Sequence, residues 1–171
     1  MKTKQYTWDE VREAANSIII QMYNDSWRPD CVAGVTGGGL PLALMISHSL
    51  KIPMFTLSID ESNLWLSEDA FGYVPLEEQD VLKCRWDPNK RKNILIIDSI
   101  NDTGDAFEWI MNDWQSSCLP QETNAWEAVW GKNVRFAAMT ENIASNFELV
   151  TYCYDEINKS EEDIFVKYPW E

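Results

Sequence analysis

The stretch Asn93-Ile94-Leu95-Ile96-Ile97-Asp98-Ser99-Ile100-Asn101-Asp102-Thr103-Gly104-Asp105-Ala106 decides the fold. Ile94 to Ile97 is an unbroken apolar run, which suits a parallel strand covered on both faces. Asp98 and Asp102 follow at the carboxyl end of that strand, where open α/β sheets hold their ligands. Thr103 and Gly104 open a helix, whose free amides and dipole attract an anion. Carboxylates for ribose hydroxyls or a metal, beside amides for a phosphate, suit a phosphorylated sugar. A capped helix after a core strand satisfies the same pattern with no ligand at all.

Upstream, Thr7-Trp8-Asp9-Glu10 has the spacing of a capping box. Val11, Ala14, Ala15, Ile18, Ile19 and Met22 then recur at helical spacing. Cys31 to Thr36 reads as a short buried strand, Gly37-Gly38-Gly39 as a loop, Leu40 to Leu50 as a helix and Met54 to Ile59 as a second strand. A strand, a helix and a strand in this order imply parallel pairing. Three glycines between a strand and a helix allow close backbone approach to an anion, although a structural turn needs them equally. The run has neither dinucleotide-fingerprint spacing nor the Lys of a P-loop.

Residues 60–89 lack periodicity and read as one long connection, a length that is usually functional. Val81-Leu82-Lys83 within it is strand-like. Downstream, the pattern predicts a helix from Asp105 to Gln115 and strands at Val134 to Met139 and Leu149 to Tyr154. The tail from Glu161 to Glu171 reads as irregular. His48, the one histidine, reads as a partly buried helix residue, and Trp126 to Trp130 as either buried packing or a partner surface.

Composition bounds the function. The chain has 171 residues, 45% of them hydrophobic, enough for one domain with a full core. A net charge of −14 argues against nucleic-acid backbones and anionic membranes. No apolar stretch approaches a membrane span, and the first residues lack a signal-peptide core. Cys31, Cys84, Cys118 and Cys153 show no metal-ligand spacing and read as reduced thiols of a cytoplasmic protein.

The segment 93–106 also resembles the phosphoribosyl-pyrophosphate (PRPP) signature of type I phosphoribosyltransferases. Over nearly its whole length the chain is similar to the short microbial xanthine–guanine and hypoxanthine phosphoribosyltransferases. Tyr6-Thr7-Trp8-Asp9 resembles their opening helix. Val35-Thr36-Gly37-Gly38-Gly39-Leu40 resembles their pyrophosphate loop. Ser58-Ile59-Asp60-Glu61-Ser62-Asn63 and Val81-Leu82-Lys83 resemble the stems of their mobile loop. Phe165-Val166-Lys167-Tyr168-Pro169-Trp170 resembles their hood motif.

The resemblance implies a single α/β domain over 1–171, a mostly parallel sheet flanked by helices, with a mobile loop at about 60–89 and a C-terminal hood at about 155–171. It implies transfer of a 5-phosphoribosyl group from PRPP to a purine base. Asp102 would assist proton transfer. Asp98 would hold ribose hydroxyls and reach Mg²⁺, which is bound mostly through PRPP and water. Ser99, Thr103, Gly104, Asp105, Ala106, Thr36, Gly37, Gly38 and Lys83 would surround PRPP, and Asn142, Phe165 and Val166 the base. A homodimer is implied as well. Gly37 stands where the family carries Arg, Ser99 replaces its second acid, Asp105 and Ala106 depart in its phosphate loop, and Asn142 replaces a Lys. A non-catalytic PRPP or nucleotide sensor on the same fold is the competing reading.

Overall fold

The computed structural model describes residues 1–74, 86–118 and 122–171. In chain order these form β1 (Lys2–Gln5), α1 (Trp8–Asn24), β2 (Cys31–Val35), α2 (Leu40–Leu50), β3 (Met54–Leu57), α3 (Leu64–Phe71), β4 (Ile94–Asn101), α4 (Asp105–Ser117), β5 (Val134–Asn142), β6 (Val150–Ile157) and β7 (Ile164–Lys167). Strands β2 to β6 make one five-stranded sheet in the order β3-β2-β4-β5-β6. Every pair in it is parallel. The Ile94–Ile97 run occupies its middle strand, paired with Cys31–Gly34 on one side and Val134–Ala137 on the other.

Both faces of the sheet are covered, which explains the continuous apolar run in β4. On one face α1 and α2 bury Val11, Ile18, Leu42 and Ile46 against Leu95 and Ile97. On the other face α3 and α4 bury Leu66, Phe107, Ile110 and Trp114 against Ile94 and Ile96. Tryptophans fill much of this second layer. Trp126 and Trp130 are stacked with ring centroids 5.0 Å apart, and Trp126 Nε1 donates to Cys118 O at 2.9 Å. The Trp126–Trp130 stretch is therefore core and not a partner surface. α1 starts as its sequence predicts. Glu10 N donates to Thr7 Oγ1 at 3.2 Å, and Thr7 N donates to Glu10 Oε2 at 2.7 Å.

Three sequence expectations need correction. Residues 60–89 are not one structureless connection, because α3 lies within them and buries Leu66, Ala70 and Phe71. The tail is not irregular. Its β7 pairs in parallel with β1, Lys2 opposite Ile164 and Gln5 opposite Lys167, so the two ends of the chain form their own small sheet. His48 is exposed in the last turn of α2. The strand-like Val81-Leu82-Lys83 lies outside the described residues, and so does Cys84. Cys31 and Cys153 are free thiols.

Candidate functional site

All five strands of the main sheet end at one edge. The chain leaves β2 toward β3 on one side, whereas β4 lies on the other. The crevice between the ends of β2 and β4 is therefore a topological switch point, where such sheets hold ligands. The loop after β2 carries the three glycines, and the loop after β4 carries Asp102 to Gly104.

The two loops meet. A methyl group on Gly38 would lie 2.1 Å from Ser99 Oγ and 3.3 Å from Asp98 Oδ1, so only glycine lets the loop pack on the end of β4. Gly104 adopts φ 96° as the residue capping α4, where a methyl group would also strike Phe147 at 2.7 Å. That turn places the first turn of α4 over the pocket. The pocket holds about 240 Å³ and is lined by Asp98, Asp102, Thr103, Gly104, Asp105 and Ala106, together with Ile59, Ile100, Asn101 and Phe107. The first amides of a helix have no partner within it, which suits them to an anion in this pocket.

Asp98 is a half-buried acid of the pocket. Its carboxylate accepts from Ser99 N at 2.7 Å. Burial pushes its pKa up to about 6, against the opposing pull of the Ser99 backbone and side-chain hydrogen bonds. It retains acceptor capacity for ligand hydroxyls. Asp102 is differently held. Its Oδ2 accepts from Lys159 Nζ at 2.7 Å and its Oδ1 from Asn142 Nδ2 at 3.3 Å.

The structure brings together most, not all, of the residues that the sequence singles out. Asp98, Asp102, Thr103, Gly104, Asp105 and Ala106 share the pocket. Ser99 is not among the lining residues, although its Oγ lies 3.5 Å from Asp98 Oδ1. Its side chain lies against Gly38, and its carbonyl is 2.9 Å from Tyr168 Oη. Thr36 and Gly37 are exposed on the facing loop. Gly37 has φ 92° and open space around it, so an arginine there would have room but a strained backbone.

Asn142 is buried and its amide is fully engaged. Nδ2 donates to Asp102 O at 2.9 Å, and Oδ1 accepts from Ala144 N at 3.2 Å and Lys159 N at 3.1 Å. That leaves no free donor for a ligand base. Phe165 is half-exposed on β7, and the Val166 side chain is buried in the core cluster that contains Tyr6 and Val11. Lys83 lies outside the described residues. Lys159 was missed. It is a lone cation in Asn158-Lys159-Ser160-Glu161-Glu162-Asp163, and nothing local in that turn points to Asp102, 57 positions away. Among the described residues no group of three or more His, Cys, Asp or Glu could hold a metal ion, and no helix is long and apolar enough to cross a membrane.

Solved structures match this arrangement from end to end. A purine phosphoribosyltransferase from Pyrococcus horikoshii superposes with a TM-score of 0.62 at 20% identity, covering 100% of this chain and 95% of its own. The chain has the type I phosphoribosyltransferase fold. The Helicobacter pylori xanthine-guanine-hypoxanthine phosphoribosyltransferase has the same fold, with a TM-score of 0.64, 13% identity and coverage of 99% and 93%. A hypothetical protein from Neisseria gonorrhoeae with bound ppGpp matches at a TM-score of 0.60, 19% identity and coverage of 99% and 89%. No protein-family model matches the chain, and no curated protein sequence matches it. In this phosphoribosyltransferase fold, the pocket of Asp98 and Asp102 is the crevice at the switch point.

Proposed function

We propose that the protein transfers the 5-phosphoribosyl group of PRPP to a ring nitrogen of a purine base, releasing pyrophosphate. The observation that carries this reading is the pocket itself. Two carboxylates of different character, Asp98 and Asp102, flank the first turn of α4 at the switch point of a phosphoribosyltransferase fold.

Each residue has a role in this reading. Asp98 accepts hydrogen bonds from the ribose hydroxyls, which repay the burial of its charge. The amides from Thr103 to Ala106 hold the 5′-phosphate. Asp105, exposed at the first turn of α4, turns its charge to solvent. Thr36, Gly37 and Gly38 face the pyrophosphate, and Lys83 adds a cation. Asp102 Oδ1 exchanges a proton with the base nitrogen as the bond from C1 to pyrophosphate breaks and the bond to nitrogen forms. Phe165 stacks on the base beside Val166. Asn142 contributes by bracing Asp102, not by reading the base. Mg²⁺ enters as part of the substrate and supplies neutralisation of the leaving pyrophosphate. Asp98 is the carboxylate that would reach it, in keeping with a metal that retains waters and substrate oxygens. Catalysis is then mainly positioning and exclusion of water. A cytoplasmic homodimer belongs to the same reading.

The deciding experiment supplies PRPP, Mg²⁺ and a panel of purine bases, and follows pyrophosphate and nucleotide. At least one base should yield its 5′-monophosphate. If none does, the second reading takes over, a sensor of phosphorylated nucleotides. Gly37, which lacks a guanidinium for pyrophosphate, favours it, and so does the likeness to a structure with bound ppGpp. Titration with ppGpp and with PRPP separates the two.

A further inference from the structure

Three chain segments converge on Asp102. Asn142, the last residue of β5, reaches the loop after β4 through its amide nitrogen and the turn after β6 through its amide oxygen. Its partners there are the main chains of Asp102 and Lys159. With both backbones braced, Lys159 Nζ donates to Asp102 Oδ2 at 2.7 Å. The side chains are 30% and 40% exposed. An ion pair so open to water contributes little to stability, so its worth is to be sought in the pocket that Asp102 lines.

We propose that Lys159 is the positioning residue and counter-ion of Asp102. This rests on the transferase reading and adds to it a residue that neither the family resemblance nor the sequence pattern assigns. Lys159 occupies Oδ2 and fixes the plane of the carboxylate. Oδ1, with only its 3.3 Å contact from Asn142, is left turned to the ligand. Proton transfer depends on such alignment, because a reacting group out of place loses most of its effect. The charge matters as well. Asp98, Asp102 and Asp105 line one pocket in a chain of net charge −14, and a phosphorylated ligand entering it meets repulsion that Lys159 reduces. Lys159 acts through Asp102 and not on the substrate itself.

The test uses the full chain and the variants Lys159→Met, Lys159→Arg, Asp102→Asn and Lys159→Met/Asp102→Asn. Lys159→Met should lower kcat by about tenfold or more. Lys159→Arg, which keeps the charge and a donor, should restore at least about a third of the parent rate. In the Asp102→Asn background Lys159→Met should cost almost nothing further. Equal loss in the Met and Arg variants, or full additivity with Asp102→Asn, overturns the proposal. Amide NMR shifts of residues 102–106 read the pairing without turnover. They should move in Lys159→Met and stay in Lys159→Arg. Unmoved shifts in Lys159→Met overturn the proposal even if the parent is active. Moved shifts in a parent that makes no nucleotide overturn the transferase reading and leave the Lys159–Asp102 pairing standing.

Discussion

Asp98 carries a stability cost that depends on pH. Its pKa rises from 3.8 to about 6 because burial penalises the charged form. The folded chain therefore binds a proton more readily than the unfolded one between those values. Its stability must fall as pH rises through that window, and the loss is complete above pH 6. The shift corresponds to about 2–3 kcal/mol at most. Asp98→Asn keeps an acceptor for Ser99 N but has no charge to bury. It should be more stable than the parent by about 1–3 kcal/mol at pH 7.5, with the advantage vanishing by about pH 4. Urea unfolding at both pH values checks this. An advantage that is the same at both would assign the cost to something other than ionisation. Glu141, whose pKa is raised to about 7 chiefly by burial, slopes the same way. The parent protein should thus lose stability between weakly acid and neutral pH.

At the scale of elements, the sequence is most legible where signals are local. The capping box of α1 is spelled by Thr7 and Glu10, and the structure contains both of its hydrogen bonds. Thr7→Ala removes the acceptor for Glu10 N and should cost about 1 kcal/mol. For a domain of this size that lowers Tm by about 2–4 °C, a drop that calorimetry would detect. β4 and α4 are legible for the same reason, an apolar run followed by a turn with Gly104 at its end. α3 is not. It is only eight residues long, Asn63 before it makes no side-chain cap, and it leaves Leu64 and Trp65 half-exposed. Its helical state comes from packing on α4 and the second core cluster, which no short window of sequence contains.

At the scale of the whole molecule, the ends of the chain are tied into the site. β1 and β7 pair, Tyr6 stacks on Tyr168 with centroids 5.4 Å apart, and Tyr168 stacks on Trp170 at 4.9 Å. Tyr168 Oη lies 2.9 Å from both Ser99 O and Thr140 Oγ1, and Thr140 Oγ1 donates to Tyr6 Oη at 3.1 Å. The closing segment is thus bonded to the residue after Asp98. Tyr168→Phe leaves the Ser99 carbonyl without this partner and should destabilise the fold by about 1–3 kcal/mol. It should also weaken PRPP binding, because the end of β4 is no longer braced. Unfolding and titration calorimetry on one sample would separate these effects. A variant with lowered stability and unchanged affinity would show that the brace does not reach Asp98.

The sequence by itself determined what short-range chemistry can encode. Apolar runs specify buried strands, Thr7 and Glu10 start a helix, and glycines mark two sharp loops. The order of strand, loop and helix implies parallel pairing. Asp98, Asp102, Thr103 and Gly104 could be picked out together because they stand close in sequence, at the end of β4 and in the loop after it. Only the tertiary structure decided that Lys159 pairs with Asp102, that Asn142 joins the main chains of Asp102 and Lys159, that the Ser99 carbonyl accepts from Tyr168, and that the two ends of the chain form a sheet. Each of these joins residues far apart in sequence. In a parallel sheet, side chains at the ends of neighbouring strands meet only after the intervening helices have packed on its faces. Their contacts are a property of that packing, and no local pattern of residue types records it.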